Sequence, residues 1–177
     1  MKQVEIGRSR LEFIVGDITA QDTQAVVNAA NSRLAPGGGV AGAIHEAAGP
    51  MLWNECSTLG GCETGQAKIS KGYNLPNAYV IHTVGPVYSG SENDAILLRY
   101  CYVNSLTLAN RHSIRSIAFP ALSTGIFGYP VKDAAKVAID AIAGHLKGDT
   151  GIDLVRMVLY DERSYTIHLK VLEKIKI

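Results

Sequence analysis

Gly16-Asp17-Ile18-Thr19, then Val26-Val27-Asn28-Ala29-Ala30-Asn31, then Gly37-Gly38-Gly39-Val40 is the stretch that decides how this chain is read. It sets one carboxylate, two amides and a bare glycine run where strand ends should give way to loop or helix. A carboxylate accepts from an exocyclic amine, and amides pair with ribose hydroxyls. Glycines let backbone N–H groups come close to phosphate oxygens, because no Cβ stands in the way. The inventory suits a nucleotide with two phosphates and two riboses.

Working outward, short apolar runs predict strands over Leu11–Val15, Ala25–Val27, Ala67–Ser70, Tyr79–Val84, Ile114–Phe119 and Leu154–Tyr160. They alternate little, as strands buried on both faces of a helix-covered sheet do. Gln3 to Ile6 adds an expected edge strand through a turn at Gly7-Arg8-Ser9. Between the strands the period becomes helical. Ala95, Leu98, Tyr102, Leu106 and Ala109 form one stripe, opened by the capping-box-like Ser91-Glu92-Asn93-Asp94. Val131, Ala134, Ala135, Ala138, Ala141, Ile142 and Leu146 form a second, with Pro130 expected in its first turn and Gly148 past its end. Ile167, Val171, Leu172 and Ile175 form a third. A fourth helix is expected to begin near Val40 and run through Ala43–Ala48. Helices alternating with buried strands predict an α/β layered sandwich. Ligands of such folds collect outside the carboxyl ends of the strands. Gly16–Asp17, Asn28–Asn31, Pro120–Gly128 and Tyr160–Asp161 all follow strands and are therefore expected around one cleft.

The 177 residues suit one domain with one sizeable core, and 47% hydrophobic with 19% charged residues is ordinary for a globular protein. A net charge of +1 predicts no wide basic face for duplex nucleic acid. Cys56, Cys62 and Cys101 cannot all pair and form no C-x-x-C motif, so buried free thiols are expected. Met1 to Val15 lacks an apolar signal-peptide core, and no segment approaches the ~18 consecutive apolar residues of a membrane span. A cytoplasmic protein that does not engage membranes is the expectation.

Several motifs yield to simpler readings. Gly37-x-Gly39-x-x-Gly42 matches the dinucleotide fingerprint in form, but residues 28–36 intervene after the strand and no acidic residue closes a second strand at the required distance. A phosphate loop ahead of a helix remains, since a helix N-terminus attracts anions in any fold. Ser123-Thr124-Gly125-Ile126-Phe127-Gly128-Tyr129-Pro130 is a second anion loop between a strand and a helix. Its likeness to a nucleophile elbow fails, because Ala121 stands two residues before Ser123 and no His–acid pair is marked. His45-Glu46 is no metalloprotease motif, since the second His would fall at Gly49. His82 reads as a core histidine. No P-loop, metal-ligand cluster or cofactor motif occurs.

Together these segments resemble the macrodomain family, the ADP-ribose-binding fold that includes ADP-ribosyl hydrolases, most of all its bacterial-type members. The matching pieces are Gly16–Thr19, Val26–Asn31, Gly37–Gly49, His82–Pro86, Pro120–Pro130 and Leu159–Asp161, in order over nearly the whole chain. The resemblance implies a three-layer α/β/α sandwich with a mixed central sheet, as a single macrodomain over residues 1–177. By position, Asp17 would accept from the adenine 6-amino group with the Ile18 backbone beside it. Gly38, Gly39 and Val40 would line one side of the diphosphate, and Ser123, Thr124, Gly125, Ile126 and Phe127 the other. Phe127 would lie near the distal ribose and Tyr160 would face the adenine. Asn31 would bond the distal ribose hydroxyls, supported by Asn28.

One departure bears on chemistry. In the macrodomain hydrolases most like this chain an Asp follows the glycine-loop valine, with a His four residues later. Here Ala41 holds the Asp position and His45 is present, read either as a third catalytic residue beside Asn28 and Asn31 or as packing for its helix. Activity would then be hydrolysis of mono-ADP-ribosyl esters on acidic protein side chains, and of O-acetyl-ADP-ribose, by water that the substrate's own phosphate orients. The alternative is a non-catalytic module that binds ADP-ribose or an ADP-ribosylated protein. A poly(A)-like or ADP-ribosylated nucleic acid is the only nucleic-acid ligand in view.

Overall fold

The computed structural model describes all 177 residues, Met1 to Ile177. Seven strands form one sheet: β1 (Lys2–Ile6), β2 (Ser9–Val15), β3 (Ala25–Ala29), β4 (Ala67–Lys71), β5 (Tyr79–Thr83), β6 (Ser116–Phe119) and β7 (Leu154–Leu159). Their spatial order is β1-β2-β7-β6-β3-β5-β4. The inner five run parallel, and β1 and β4 pair antiparallel at the edges. The sheet is mixed, as expected.

Alternation along the strands divides two cores. Ala25 and Val27 of β3, Ile117 and Phe119 of β6, and Val155, Met157 and Leu159 of β7 face the larger one. Val26, Ala118 and Val158 face the smaller. The larger core is closed by α3 (Glu92–Arg111), α4 (Val131–Lys147) and α5 (Glu162–Lys174); the smaller by α1 (Gly39–Ala48) and α2 (Pro50–Cys56). This is the three-layer α/β/α sandwich. Each Leu, Ile or Phe side chain fully buried in it contributes about 1.5–3 kcal/mol.

Helix starts are local. Ser91 Oγ caps α3 by accepting from Asn93 N at 3.2 Å. Asp94 does not complete a capping box; its carboxylate folds back to accept from Ser89 N at 2.8 Å and Gly90 N at 3.0 Å. Asp161 caps α5, accepting from Ser164 N at 2.8 Å. Only a glycine, Gly38, precedes α1, and no side chain caps it.

Some boundaries differ from the sequence reading. Helix α2 was not expected: Gly49, at φ +83°, ends α1, and the short helix beyond buries only Leu52 and Cys56, too few to show a stripe. Strand β6 begins at Ser116, because Ser113 (φ +54°) and the bond from Ile114 N to Ala109 O (3.0 Å) finish the turn out of α3. Helix α5 starts at Glu162, well before Ile167, since its first turn is polar. Pro130 is the residue before α4 rather than in its first turn. All three cysteines are buried and free. No helix is long and apolar enough to cross a membrane.

The topology places the site. From β3 the chain crosses to α1, on the smaller-core face, and works toward β5. From the neighbouring β6 it crosses to α4, on the opposite face, and goes to β7. The two connections diverge, and a crevice opens between them at the carboxyl ends of the strands.

Candidate functional site

Loops from the carboxyl ends of β2, β3, β5, β6 and β7 surround this crevice. At one end, Val15 pairs with Leu159, and Gly16 N donates to Leu159 O at 3.0 Å. Asp17 and Tyr160 thus leave adjacent strand ends together. Tyr160 is 92% exposed. Asp17 Oδ1 accepts from Thr19 Oγ1 at 2.7 Å and Thr19 N at 2.9 Å, and these bonds hold the carboxyl below its ordinary pKa. Its Oδ2 bonds to nothing in the protein, and neither does the Ile18 N–H. One free acceptor stands beside one free donor, complementary to a ring edge that carries an amine next to a bare nitrogen.

In the middle, two backbone loops leave adjacent strands. Before α1, the N–H groups of Gly38, Gly39, Val40 and Ala41 have no acceptor in the protein. Gly39 has φ +55°. With no side-chain cap, these donors and the positive end of the helix dipole remain available to an anion. After β6, Thr124 Oγ1 donates to Ala121 O at 2.7 Å, Tyr129 N to Ser123 O at 2.9 Å, and Gly128 N to Gly125 O at 3.0 Å. These bonds fold residues 121–129 into a tight loop and leave the N–H groups of Gly125, Ile126 and Phe127 unpaired. Successive unpaired N–H groups in a loop make an anion-binding concavity. Ile126 is 99% exposed at the tip, Phe127 is half-buried, and Phe127 O accepts from Tyr88 N at 2.9 Å, tying this loop to the one after β5. Ser123 is buried at φ +66° with its hydroxyl unpartnered. Gly85 makes room for it: a Cβ there would lie 2.2 Å from Ser123 Oγ.

Asn31 folds over its own loop. Its Oδ1 accepts from Ala35 N at 3.0 Å and Arg33 N at 3.2 Å, and Nδ2 donates to Ala35 O at 2.8 Å. One Nδ2 hydrogen remains. Asn28 is buried beneath, on β3, with Nδ2 3.1 Å from His82 Nδ1 and Oδ1 unpartnered. His82 Nε2 lies 2.8 Å from Ser70 Oγ and 3.5 Å from Cys56 Sγ. Burial, with a smaller contribution from His45, pushes the His82 pKa down to about 3. His45 sits on the inner face of α1, its ring 6.5 Å from that of His82, with both nitrogens unpartnered and its pKa lowered by desolvation. It belongs to the packed layer under the crevice.

Asp17, Ile18, the Gly38–Val40 run, Ser123–Phe127, Asn31 and Tyr160 are therefore brought to one strand-end crevice, with Asn28 and His45 behind it. Sequence reasoning missed Gly85, Tyr88 and the bonds that lock the Asp17 loop. For that loop a signal was present: Arg156 is a charge inside an otherwise apolar strand run.

The chain belongs to the Macro domain family, whose model matches residues 27–138. It is 52% identical to the macro domain-containing protein CT2219 of Chlorobaculum tepidum, over 92% of this chain and 95% of that protein. It is 49% identical to the ADP-ribose glycohydrolase MACROD2 of Xenopus laevis, over 93% of this chain and 40% of that longer protein. Among solved structures, the Oceanobacillus iheyensis macrodomain with ADP matches at TM-score 0.94 and 40% identity, covering 98% of this chain and 95% of that one.

Proposed function

We propose that this chain binds ADP-ribose along the crevice and hydrolyses mono-ADP-ribosyl esters on acidic protein side chains, with O-acetyl-ADP-ribose as a second ester substrate. The observation that carries the reading is the pair of unpaired N–H runs, 38–41 and 125–127, on loops from the adjacent strands β3 and β6. Together they suit a diphosphate. Asp17 Oδ2 and the Ile18 N–H suit the amine edge of adenine, with Tyr160 against the ring. In this reading the distal ribose lies by Phe127, where the remaining Asn31 donor serves its hydroxyls and Asn28 supports the strand end. The complexes with ADP and ADP-ribose named for related macrodomains agree with this ligand.

For turnover, no side-chain base stands at Ala41. The substrate's α-phosphate orients the attacking water, and the crevice supplies proximity and charge stabilisation through its N–H groups. The water oxygen bonds to the anomeric carbon as that carbon's bond to the carboxylate oxygen breaks. The protein carboxylate leaves, the water's proton passes to the phosphate and on to solvent, and no covalent enzyme intermediate forms. Ala41 favours a second reading, a binding module without turnover. A time course of release from a protein mono-ADP-ribosylated on Glu, beside calorimetry with ADP-ribose, separates the two. Release by the wild type and not by Asn31→Ala supports the hydrolase; tight binding without release leaves the binding module.

A further inference from the structure

We infer that Gln21, oriented by Arg156, is a positioning residue that sets base selectivity by fixing the Asp17–Ile18 edge; the inference rests on the adenine assignment above. Gln21 is buried, and its carboxamide lies between two groups of fixed polarity. Nε2 is 2.7 Å from the Asp17 carbonyl oxygen, an acceptor only, and Oε1 is 3.2 Å from Arg156 Nη1, a donor only. A free carboxamide turns over easily, but here only one orientation satisfies both neighbours. Arg156 is itself held on β7: its Nε donates to Glu12 Oε2 at 2.8 Å, and its Nη1 donates to Asp22 Oδ1 at 2.7 Å. Glu12 is buried and takes a second bond from Arg10 Nε at 3.0 Å. The planar guanidinium fork meets three partners at once, which a lysine ammonium could not do in the same geometry.

The other side of the segment is fixed as well. Asn77 Nδ2 donates to Thr23 O at 2.7 Å and Gln21 O at 3.0 Å. Gly16 N is held by Leu159 O, the Asp17 carbonyl by Gln21 Nε2 together with Ala20 N at 3.1 Å, and the Asp17 carboxylate by Thr19. Gln21 has both ends of its carboxamide engaged, Nε2 on the Asp17 carbonyl oxygen and Oε1 on Arg156 Nη1. The effect of these bonds falls on where Oδ2 of Asp17 and N–H of Ile18 stand relative to each other.

That spacing discriminates. Adenine offers an amine and a bare ring nitrogen to an acceptor and a donor. Hypoxanthine offers a carbonyl oxygen and an N–H to the same two groups, so both contacts turn repulsive. The test compares affinities for ADP-ribose and its hypoxanthine counterpart by calorimetry, in wild type, Gln21→Met, Gln21→Glu and Asp17→Ala. Gln21→Glu keeps an acceptor for Arg156 but sets an oxygen without a hydrogen against the Asp17 carbonyl. Gln21→Met keeps the length and loses both bonds. The expected selectivity ratio falls in the order wild type, Gln21→Met, Gln21→Glu, with a drop of roughly fivefold at the first step, the worth of about one hydrogen bond. Should both Gln21 variants bind the two ligands more weakly in equal proportion, with the ratio intact, Gln21 is only structural and the inference falls. A wild type without selectivity overturns the Asp17–Ile18 assignment, and the inference with it. Asp17→Ala losing selectivity while both Gln21 variants keep it overturns the inference alone.

Discussion

A Cβ built on Gly42, in the first turn of α1, would lie 2.4 Å from the carbonyl oxygen of Gly37. The helix and the glycine run that leads into it therefore touch backbone to backbone, and the run is held against the helix that gives it its positive end. Gly42→Ala has to displace Gly37 and with it the N–H groups of Gly38 and Gly39. We expect overpacking to cost about 1–3 kcal/mol of stability, with ADP-ribose affinity falling by roughly tenfold or more. Calorimetry beside a thermal melt measures both. Affinity equal to wild type would mean that the placement of this loop does not matter to the ligand.

Gly125 makes the opposite case. A Cβ there meets nothing within 4 Å, and its φ lies outside the left-handed region. Gly125→Val is thus expected to fold with stability within about 0.5 kcal/mol of wild type while its side chain obstructs the N–H groups of residues 125–127. Binding lost at unchanged melting temperature is the expected outcome. Binding retained would remove the second loop from the diphosphate site.

Asp17→Ala removes an acceptor that is ionised across the physiological range, since the two bonds from Thr19 depress its pKa. A hydrogen bond to a charged group is worth about 1.5–3 kcal/mol, or roughly tenfold to a hundredfold in affinity. For the same reason wild-type affinity should stay level between neutral pH and the low end of the carboxylate range. Loss of binding well above that range would show that some other group titrates.

The buried histidines make stability depend on pH in one direction. His82 has a folded pKa near 3 against an ordinary value of 6.5, because burial, and then His45, disfavours its charge. The unfolded chain therefore binds the extra proton first. Stability is fully present above pH 6.5 and falls as pH drops from 6.5 toward 3, by about 1.4 kcal/mol per pH unit for one proton. His45, His145 and His168 are depressed too, chiefly by desolvation, and steepen the fall. Melting temperatures across this window should show the slope, and His82→Gln should flatten it. An unchanged slope in that variant would assign the acid sensitivity to other groups.

Much of the frame was legible in the sequence because the inner strands are buried on both faces, so apolar runs such as Leu11–Val15 and Leu154–Tyr160 stand out without alternation. The glycines and capping residues that punctuate them placed Gly16–Asp17 and Ser123–Phe127 after strands and Gly38–Val40 ahead of a helix. Alternation of these runs with helices gave the layered α/β sandwich, but the strand order and which helix takes which face were not legible from them; the three-layer form and the mixed sheet entered only through the family resemblance. Helix α2 left no signal because two buried residues make no stripe. The Gly85–Ser123 approach and the Gln21–Arg156 bond were illegible for a common reason. Each joins residues far apart in the chain through one short polar or steric contact, which periodicity cannot register.

Ala41 and His45 lie one turn apart on the buried side of α1, and the imidazole has no partner on either nitrogen. A general base needs a pKa near the working pH and a partner to hold its tautomer. His45 is lowered by desolvation, and Ala41 offers it nothing. His45→Gln should therefore change single-turnover release from a Glu-modified protein by less than about tenfold, whereas loss of a working base costs about 10²–10⁴. A larger loss would make His45 the base and end the substrate-assisted reading. Ala41→Asp provides the complementary measurement. An adjacent carboxylate favours the charged imidazole, so the His45 pKa should rise in a proton NMR titration. If release then accelerates by about a hundredfold, the alanine is what limits this chain. If the pKa rises and release stays level, water orientation by the phosphate already suffices.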